Sequence, residues 1–221
     1  MSKIKWDAVG ERFYETGVDR GVLYVKDSDG DYGEGVPWNG LISVAASPEG
    51  AEPNPIYADN IKYLTLISNE EFKATIEAYT YPDEFAECDG SVEIVEGLTV
   101  GQQARKGFGF SYRTLVGNDL QANAHGYKLH LVYGCTAQPS DKSYETVNDT
   151  PEAITFSWEI DTDPVEMWGD LRPTSILTVD STVVDSEDLK ALEALLYGSE
   201  EVQAKLPTPQ EVATILGYET V

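Results

Sequence analysis

The 221-residue chain is poor in positive charge: 15 Lys and Arg stand against 39 Asp and Glu, a formal −24. That shortage argues against a surface built to grip nucleic-acid phosphates, which needs clustered cations. It does not exclude a surface past which nucleic acid slides. Cysteine is nearly absent. Cys88 and Cys135 lie far apart and make no CxxC pair, so both read as reduced, partly buried thiols of a cytosolic product. His125 and His130 are the only histidines, with no acidic residue between them. They give no support to His-dependent catalysis or to a His metal site, and they read as surface residues. No run approaches the roughly 18 apolar residues of a membrane span, and the N-terminus MSKIKWDAVG lacks the apolar core of a signal peptide. Neither GxSxG nor GxGxxG nor a loop ending in GK[ST] occurs, so nothing marks an acyl-transfer, dinucleotide or phosphate site.

What is present points to strands. Thirteen Tyr, 19 Gly and 11 Pro make a composition of strands and turns, and a chain of this length buries about 70% of its unfolded surface, so it needs no staples. Charge is spread unevenly. Residues 141–221 hold 18 acids and 4 bases, whereas residues 101–140 hold one acid, Asp119, against Arg105, Lys106, Arg113 and Lys128. Such asymmetry can pair a basic strip with an acidic face, within the chain or between copies.

In chain order, residues 1–20 are polar with Trp6, Phe13 and Tyr14 spaced along them, and read as a docking arm. Gly21–Lys26 is a short strand. Asp27–Gly35 is an acid- and glycine-rich loop. Its DxDxD opening invites calcium, but the EF-hand pattern needs Gly sixth and Glu twelfth, where this chain has Tyr32 and Trp38. A solvated hairpin loop is the better reading. Val36–Ala46 is a strand kinked at Pro37–Gly40, and Ser47–Pro55, with three prolines, is expected to be a loop. Asn60–Gly90 reads as a strand pair, Ile61–Ile67 with Phe72–Tyr81, ending in an acidic, aromatic loop. Ser68–Glu71 mimics a helix capping box. After it, however, Phe72, Ala74, Ile76 and Ala78 alternate with Lys73, Thr75, Glu77 and Tyr79, so the period is two and the segment is a turn.

Ser91–Val100 is a short apolar and acidic run. Gly107–Val116 and Tyr127–Ala137 are strands either side of a turn signal at Gly117–Asp119. Tyr127, Leu129, Leu131, Tyr133 and Cys135 share one face, and His130 the other. Gln138–Glu152 is a polar loop, Ile154–Ile160 alternates again, and Ser175–Thr182 is a last strand. Asp185 or Ser186 then caps a helix with a stripe of Leu189, Leu192, Leu195 and Leu196, closed by Gly198. Thr208-Pro209-Gln210-Glu211 is a capping box opening a short helix. Many strands followed by one firm and one short helix give a mainly β (α+β) domain with a helix covering a sheet.

Carboxylates Glu84, Glu87 and Asp89 lie beside Tyr79, Tyr81 and Phe85 in a pattern that resembles a sugar-binding wall. A carbohydrate-binding β-sandwich would need an exposed aromatic platform there. A glycosidase-like enzyme would need two carboxylates facing across a cleft. The simpler reading is a loop-tip cluster, and the residues themselves point to a structural or binding protein, not an enzyme.

Several segments resemble the major tail tube protein of long, non-contractile-tailed bacteriophages. They are RFYETGVDRGVLYV (Arg12–Val25), WNGLISVAASPEGAEPNPIYADNIKYL (Trp38–Leu64), EEFKATIEAYTYPDEFAECDG (Glu70–Gly90), FGFSYRTLVGNDLQANAHGYKLHLVYG (Phe108–Gly134) and TFSWEIDTDPV (Thr155–Val165). The resemblance implies a fold of two packed antiparallel sheets, a β-sandwich or partial barrel, flanked by one α-helix with long loops and terminal arms. It implies one tail-tube domain over 1–221, with an arm at 1–20, a covering helix at 186–197 and a short helix and tail at 208–221. Hexameric rings would stack into a tube, the conduit for DNA ejection. The tape measure protein and viral DNA would occupy the lumen, and tail terminator and distal tail proteins would sit at the ends. The protein would reside in the virion after synthesis in the host bacterial cytoplasm, with no cofactor and no membrane partner. Asp27, Asp29, Asp31, Tyr32, Trp38, Tyr57, Tyr81 and Phe85 become candidate inter-subunit loop residues. Strands at Phe72–Tyr81 and Thr155–Ile160 are expected to gain protection only on polymerisation, and lumen-facing positions to bear a share of the −24.

Overall fold

The computed structural model describes residues 3–147, 149, 152–200 and 202–218. It is mostly β, 46% strand against 11% helix, which places it in the mainly β class. In chain order the strands are β1 (Phe13–Lys26), β2 (Tyr32–Trp38), β3 (Leu41–Ala46), β4 (Glu49–Gly50), β5 (Pro53–Ala58), β6 (Ile61–Ile67), β7 (Glu70–Glu71) and β8 (Ala74–Ala78). A one-turn helix α1 (Phe85–Cys88) follows, then β9 (Val92–Val95), β10 (Leu98–Val100), β11 (Phe108–Asn118), β12 (Ala122–Ala137), β13 (Phe156–Thr162) and β14 (Ile176–Asp180). Helices α2 (Ser186–Tyr197) and α3 (Pro209–Ile215) come last.

The main sheet runs β2-β1-β11-β12-β13-β8-β3, with β14 also paired to β12, and every pairing is antiparallel. Strand β12 is the pivot. Its Lys128–Val132 stretch pairs with β14 and its Cys135–Ala137 stretch with β13, so the sheet forks along one edge of a single strand. Gly134 makes the fork. It sits at φ +63°, in the left-handed region, and a Cβ there would lie 2.1 Å from the Asp163 carbonyl oxygen. Opposite it the register slips from Phe110↔Val132 to Phe108↔Cys135, a bulge of one residue. A bulge reverses the alternation beyond it. Leu129, Leu131 and Tyr133 therefore face the helices, while Cys135 joins Val132 and Ala137 on the other side. The expectation that Cys135 continues the Leu face fails for that reason.

Two cores result. Inside the curl, Trp38 packs against Phe85 (ring centroids 4.6 Å), Phe110 (5.4 Å) and Trp158 (5.6 Å), and its indole N–H donates to Thr80 O at 3.0 Å. The curl brings β3 back towards β1: a Cβ on Gly21 would lie 3.2 Å from the Leu41 side chain. On the outer face, Leu189, Leu192 and Leu196 of α2 and Val212 of α3 cover Tyr24, Leu129, Leu131 and Tyr133. Each such apolar side chain contributes about 1.5–3 kcal/mol on burial. Tyr24 Oη donates to Leu196 O (2.8 Å) and Tyr133 Oη to Pro207 O (2.9 Å), satisfying buried carbonyls around the helix ends. The caps follow the sequence: Asp185 accepts the Glu187 N–H, and Thr208 with Glu211 forms a capping box over Pro209.

Three further expectations change. The segments Ile61–Ile67 and Phe72–Tyr81 do not pair: β6 pairs with β5, whereas β8 lies between β13 and β3. The expected loop Ser47–Pro55 holds β4 and the start of β5. A two-stranded hairpin consists of edge strands only, and an edge strand tolerates proline at alternate positions such as 53 and 55. Asp59 and Asn60, at φ +51° and +64°, give it the positive-φ pair of a type I′ turn. Finally, β1 starts at Phe13, ahead of Gly21, so part of the expected arm is strand. Residues 13–17 are exposed on both faces, which removes the apolar alternation that would have announced it.

Candidate inter-subunit surfaces

β2 covers β1 only from Gly21 onward. Among the described residues, no strand pairs with the outer edge of Phe13–Arg20, and none with the outer edge of β14. Between them lies a four-stranded antiparallel sheet, first half of β1, then β11, first part of β12, then β14. Ser181 N–H donates to Tyr127 O (3.0 Å) and Ser175 O accepts Tyr133 N–H (2.8 Å), so odd-numbered residues of β14 face β12. By alternation, Ile176, Thr178 and Asp180 point their backbone groups outward. At the two ends of this edge the chain serves its own groups: Thr174 Oγ1 bridges Ile176 N–H (3.4 Å) and Ile176 O (3.2 Å), and Asp180 O accepts the N–H of Val183 and Val184 (3.2 Å each). The Thr178 N–H and C=O between them have no strand beside them among the described residues, and an edge of that kind is a template for another strand. The β1 edge is interrupted by bulges at Gly17 (φ +66°) and around Arg20 (φ +51°), which limit the partners it can accept.

One face of this sheet carries the helices. On that side Arg113 holds Asp19 through two hydrogen bonds (2.7 and 2.6 Å) and lies 4.9 Å from the Tyr127 ring centroid, while Tyr127 Oη donates to Glu193 of α2 (2.9 Å). The Arg113 hydrogen bonds keep the Asp19 carboxyl below the usual carboxylate range, against some desolvation. Among the described residues, neither α2 nor α3 packs on the opposite face, whose inner core takes only Phe85 and Cys88 of the one-turn α1. Facing positions there are Tyr112, His130 and Thr178, then Thr114, Lys128 and Asp180. His130 stacks on Tyr112 (4.6 Å, 16°), and its ring nitrogens sit 2.9 Å from Thr114 Oγ1 and 3.2 Å from Thr178 Oγ1. His130 is half-buried, not the surface residue expected, and that burial depresses its pKa below the ordinary histidine value. Lys128 is paired with Glu15.

Two hairpins stand apart from the main sheet as two-stranded ribbons, β5–β6 and β9–β10. The first exposes Tyr57 (68%), Tyr63 (67%), Leu66 (54%) and Ile67 (66%), the second Ile94 (64%) and Val95 (59%). A lone two-stranded ribbon is marginal in water, and apolar residues concentrated on one mark a contact surface. The sequence reading missed most of these residues. The Asp59-Asn60 turn between apolar runs was the available signal.

Of the eight candidate loop residues, Asp27, Asp29 and Asp31 lie at the exposed β1–β2 turn, where Asp27 Oδ1 accepts the N–H of Asp29 (2.9 Å) and Asp31 (3.0 Å). Tyr57 is exposed on the β5–β6 hairpin. Tyr32 is half-buried. Its hydroxyl accepts Gly134 N–H (2.8 Å), and burial pushes its pKa up to about 12. Trp38 and Phe85 belong to the chain's own core and cannot face a neighbour. Tyr81 is half-buried, edge-on to Phe156 and Trp158 (both 5.3 Å). An aromatic sugar platform at Tyr79–Phe85 is therefore missing: only Tyr79 (55%) is openly exposed. Among the described residues, no group of three His, Cys, Asp or Glu side chains is placed to hold a metal, and no helix is long and apolar enough to cross a membrane.

No family model matches the chain, and no curated protein matches it. Chains of several solved structures align with it, among them the following two. One is a chain in the cryo-EM structure of the anti-feeding prophage (AFP) baseplate, 6-fold symmetrised, at 9% identity over 80% of this chain and 97% of that one, with a TM-score of 0.37. The other is a chain in the cryo-EM structure of an extracellular contractile injection system, the PVC sheath-tube complex in the extended state, at 11% identity over 73% of this chain and 88% of that one, with a TM-score of 0.32.

Proposed function

We propose that the chain is a structural subunit of a bacteriophage tail, one tail-tube unit over 1–221, whose copies join edge to edge into rings that stack into the conduit for DNA ejection. The observation that carries this is the pair of free edges on the four-stranded sheet. With an even number of antiparallel strands, the two outer strands run in opposite directions. The β14 edge of one copy then meets the β1 edge of the next in antiparallel register, and repetition of that head-to-tail contact about an axis closes a ring. Closure removes the edges that a lone copy leaves open.

Helices α2 and α3 cover one face, so the open face of Thr114, Lys128, His130, Thr178 and Asp180 is the one free to line a lumen. If six copies close, as the sequence resemblance implies, roughly 24 strands give a backbone diameter on the order of 40–50 Å. On this patch Glu15 and Asp180 face a single cation, Lys128. Little of the −24 lies here. The property that lets DNA slide is the lack of clustered cations more than a strongly acidic wall.

In this reading the tape measure protein and DNA occupy the lumen, terminator and distal tail proteins cap the ends, and the role is structural, not catalytic, in a virion assembled in the host cytoplasm. Negative-stain microscopy of the purified protein tests it. Rings or tubes are expected, and monomers that persist at high concentration would overturn it.

A further inference from the structure

We infer that the N-terminal segment Lys3–Trp6 of one copy docks in the cleft between β2, α1 and the β9–β10 hairpin of another copy. The inference rests on the assembly reading above and names the contact that joins successive rings. Residues 7–12 are tied down at the β11–β12 turn: Gly10 N–H donates to Asp119 Oδ1 (3.0 Å), and the Arg12 guanidinium donates to Asp7 O (3.1 and 3.0 Å). Lys3–Trp6, ahead of this hook, are exposed. Ile4 (70%) and Trp6 (77%) are exposed, and among the described residues Lys3 and Lys5 have no carboxylate partner, unlike most cations of this chain. Laid out extended, Lys-Ile-Lys-Trp puts two ammoniums on one side and two apolar side chains on the other.

The cleft is built to the same pattern. It has a volume of about 740 Å³, with Val25, Val36 and Tyr81 on its apolar part and the carboxylates of Glu34, Asp83 and Glu84 around it. None of these three carboxylates has an ion-pair partner among the described residues. The apolar side chains of the segment meet the apolar lining while the ammoniums meet the carboxylates. The chain's own segment cannot reach this cleft. Phe13 and Val25 pair with Asn118 and Phe108, which lie about 33 Å apart along β11, whereas the stretch from Lys3 to Gly10, which is held at Asp119, spans at most about 25 Å. The segment and the cleft therefore sit at opposite ends of the subunit, as an axial contact between copies requires.

Zero-length carbodiimide cross-linking of the unmodified full-length protein tests this, using an equal mixture of ¹⁴N- and ¹⁵N-labelled copies. Amide links from Lys3 or Lys5 to Glu34, Asp83 or Glu84 that join the two isotopes are expected. In the full-length K3E/K5E chain the concentration needed for tubes should rise about tenfold or more, and combining it with E34K/E84K copies should restore mixed tubes. Assembled particles whose Lys3 and Lys5 links fall elsewhere, or only within one copy, would overturn the inference and leave the assembly reading standing. A protein that stays monomeric throughout would overturn both.

Discussion

Replacing Gly134 by alanine probes the point on which the whole sheet turns. Gly134 lies at φ +63°, and the added Cβ would meet the Asp163 backbone oxygen at 2.1 Å, inside any tolerated contact. The left-handed conformation disfavours an L-residue by roughly 1–2 kcal/mol. The clash adds to this, because its partner is backbone and cannot rotate away. Relieving it pulls apart the Asp163 N–H to Gly134 O bond (3.0 Å) and the Gly134 N–H to Tyr32 Oη bond (2.8 Å), each contributing about 1 kcal/mol. The expected loss is about 3–4 kcal/mol, or a fall in Tm of roughly 6–15 °C for a chain of this size. Urea unfolding followed by tryptophan fluorescence measures it. Gly101→Ala is the control, since nothing lies within 4 Å of a Cβ there and its φ is ordinary. A Gly134→Ala loss below about 1 kcal/mol, or equal to that of the control, would refute the bulge as the reason the sheet forks.

Thr178→Pro removes an outward-facing N–H from β14 and should leave the monomer folded while abolishing rings in negative stain; normal rings would show that β14 is not the joining edge. Asp19 has a folded pKa below its unfolded value, so its contribution is present above the unfolded pKa of about 3.9 and is lost as pH falls through the folded one. Asp19→Asn should therefore shrink the drop in Tm between neutral pH and pH 3, and an unchanged drop would contradict the Arg113 pairing. Thr114→Lys with Thr178→Lys adds two cations to the open face. Phages carrying both should release DNA more slowly, and unchanged release would remove that face from the lumen. Hydrogen exchange should slow on assembly in Phe13–Arg20 and Ile176–Asp180. It should stay the same in β8 and β13, which are paired on both sides within one copy, so the protection change expected of those two strands shifts to the free edges.

The sequence alone determined what local rules determine. Period-two alternation located β8, β12 and β13, and Asp185 and the Thr208–Glu211 box located both C-terminal helices. These signals arise within a few residues of one another and survive any tertiary arrangement. Partner choice did not share that property. Whether Ile61–Ile67 pairs with Phe72–Tyr81 or with Pro53–Ala58 depends on which strands the fold brings alongside, and proximity in sequence favoured the wrong answer. Burial was likewise a tertiary decision. Trp38 and Phe85 look like loop aromatics in sequence, and only the curl of the sheet encloses them. The free edges of β1 and β14 were invisible for the same reason: an edge is defined by the absence of a neighbour, which no single strand records. Gly134 joins the two levels. Its glycine stands in the sequence, but the bulge it permits, and the change of face it forces on Cys135, exist only once Asp163 packs against it.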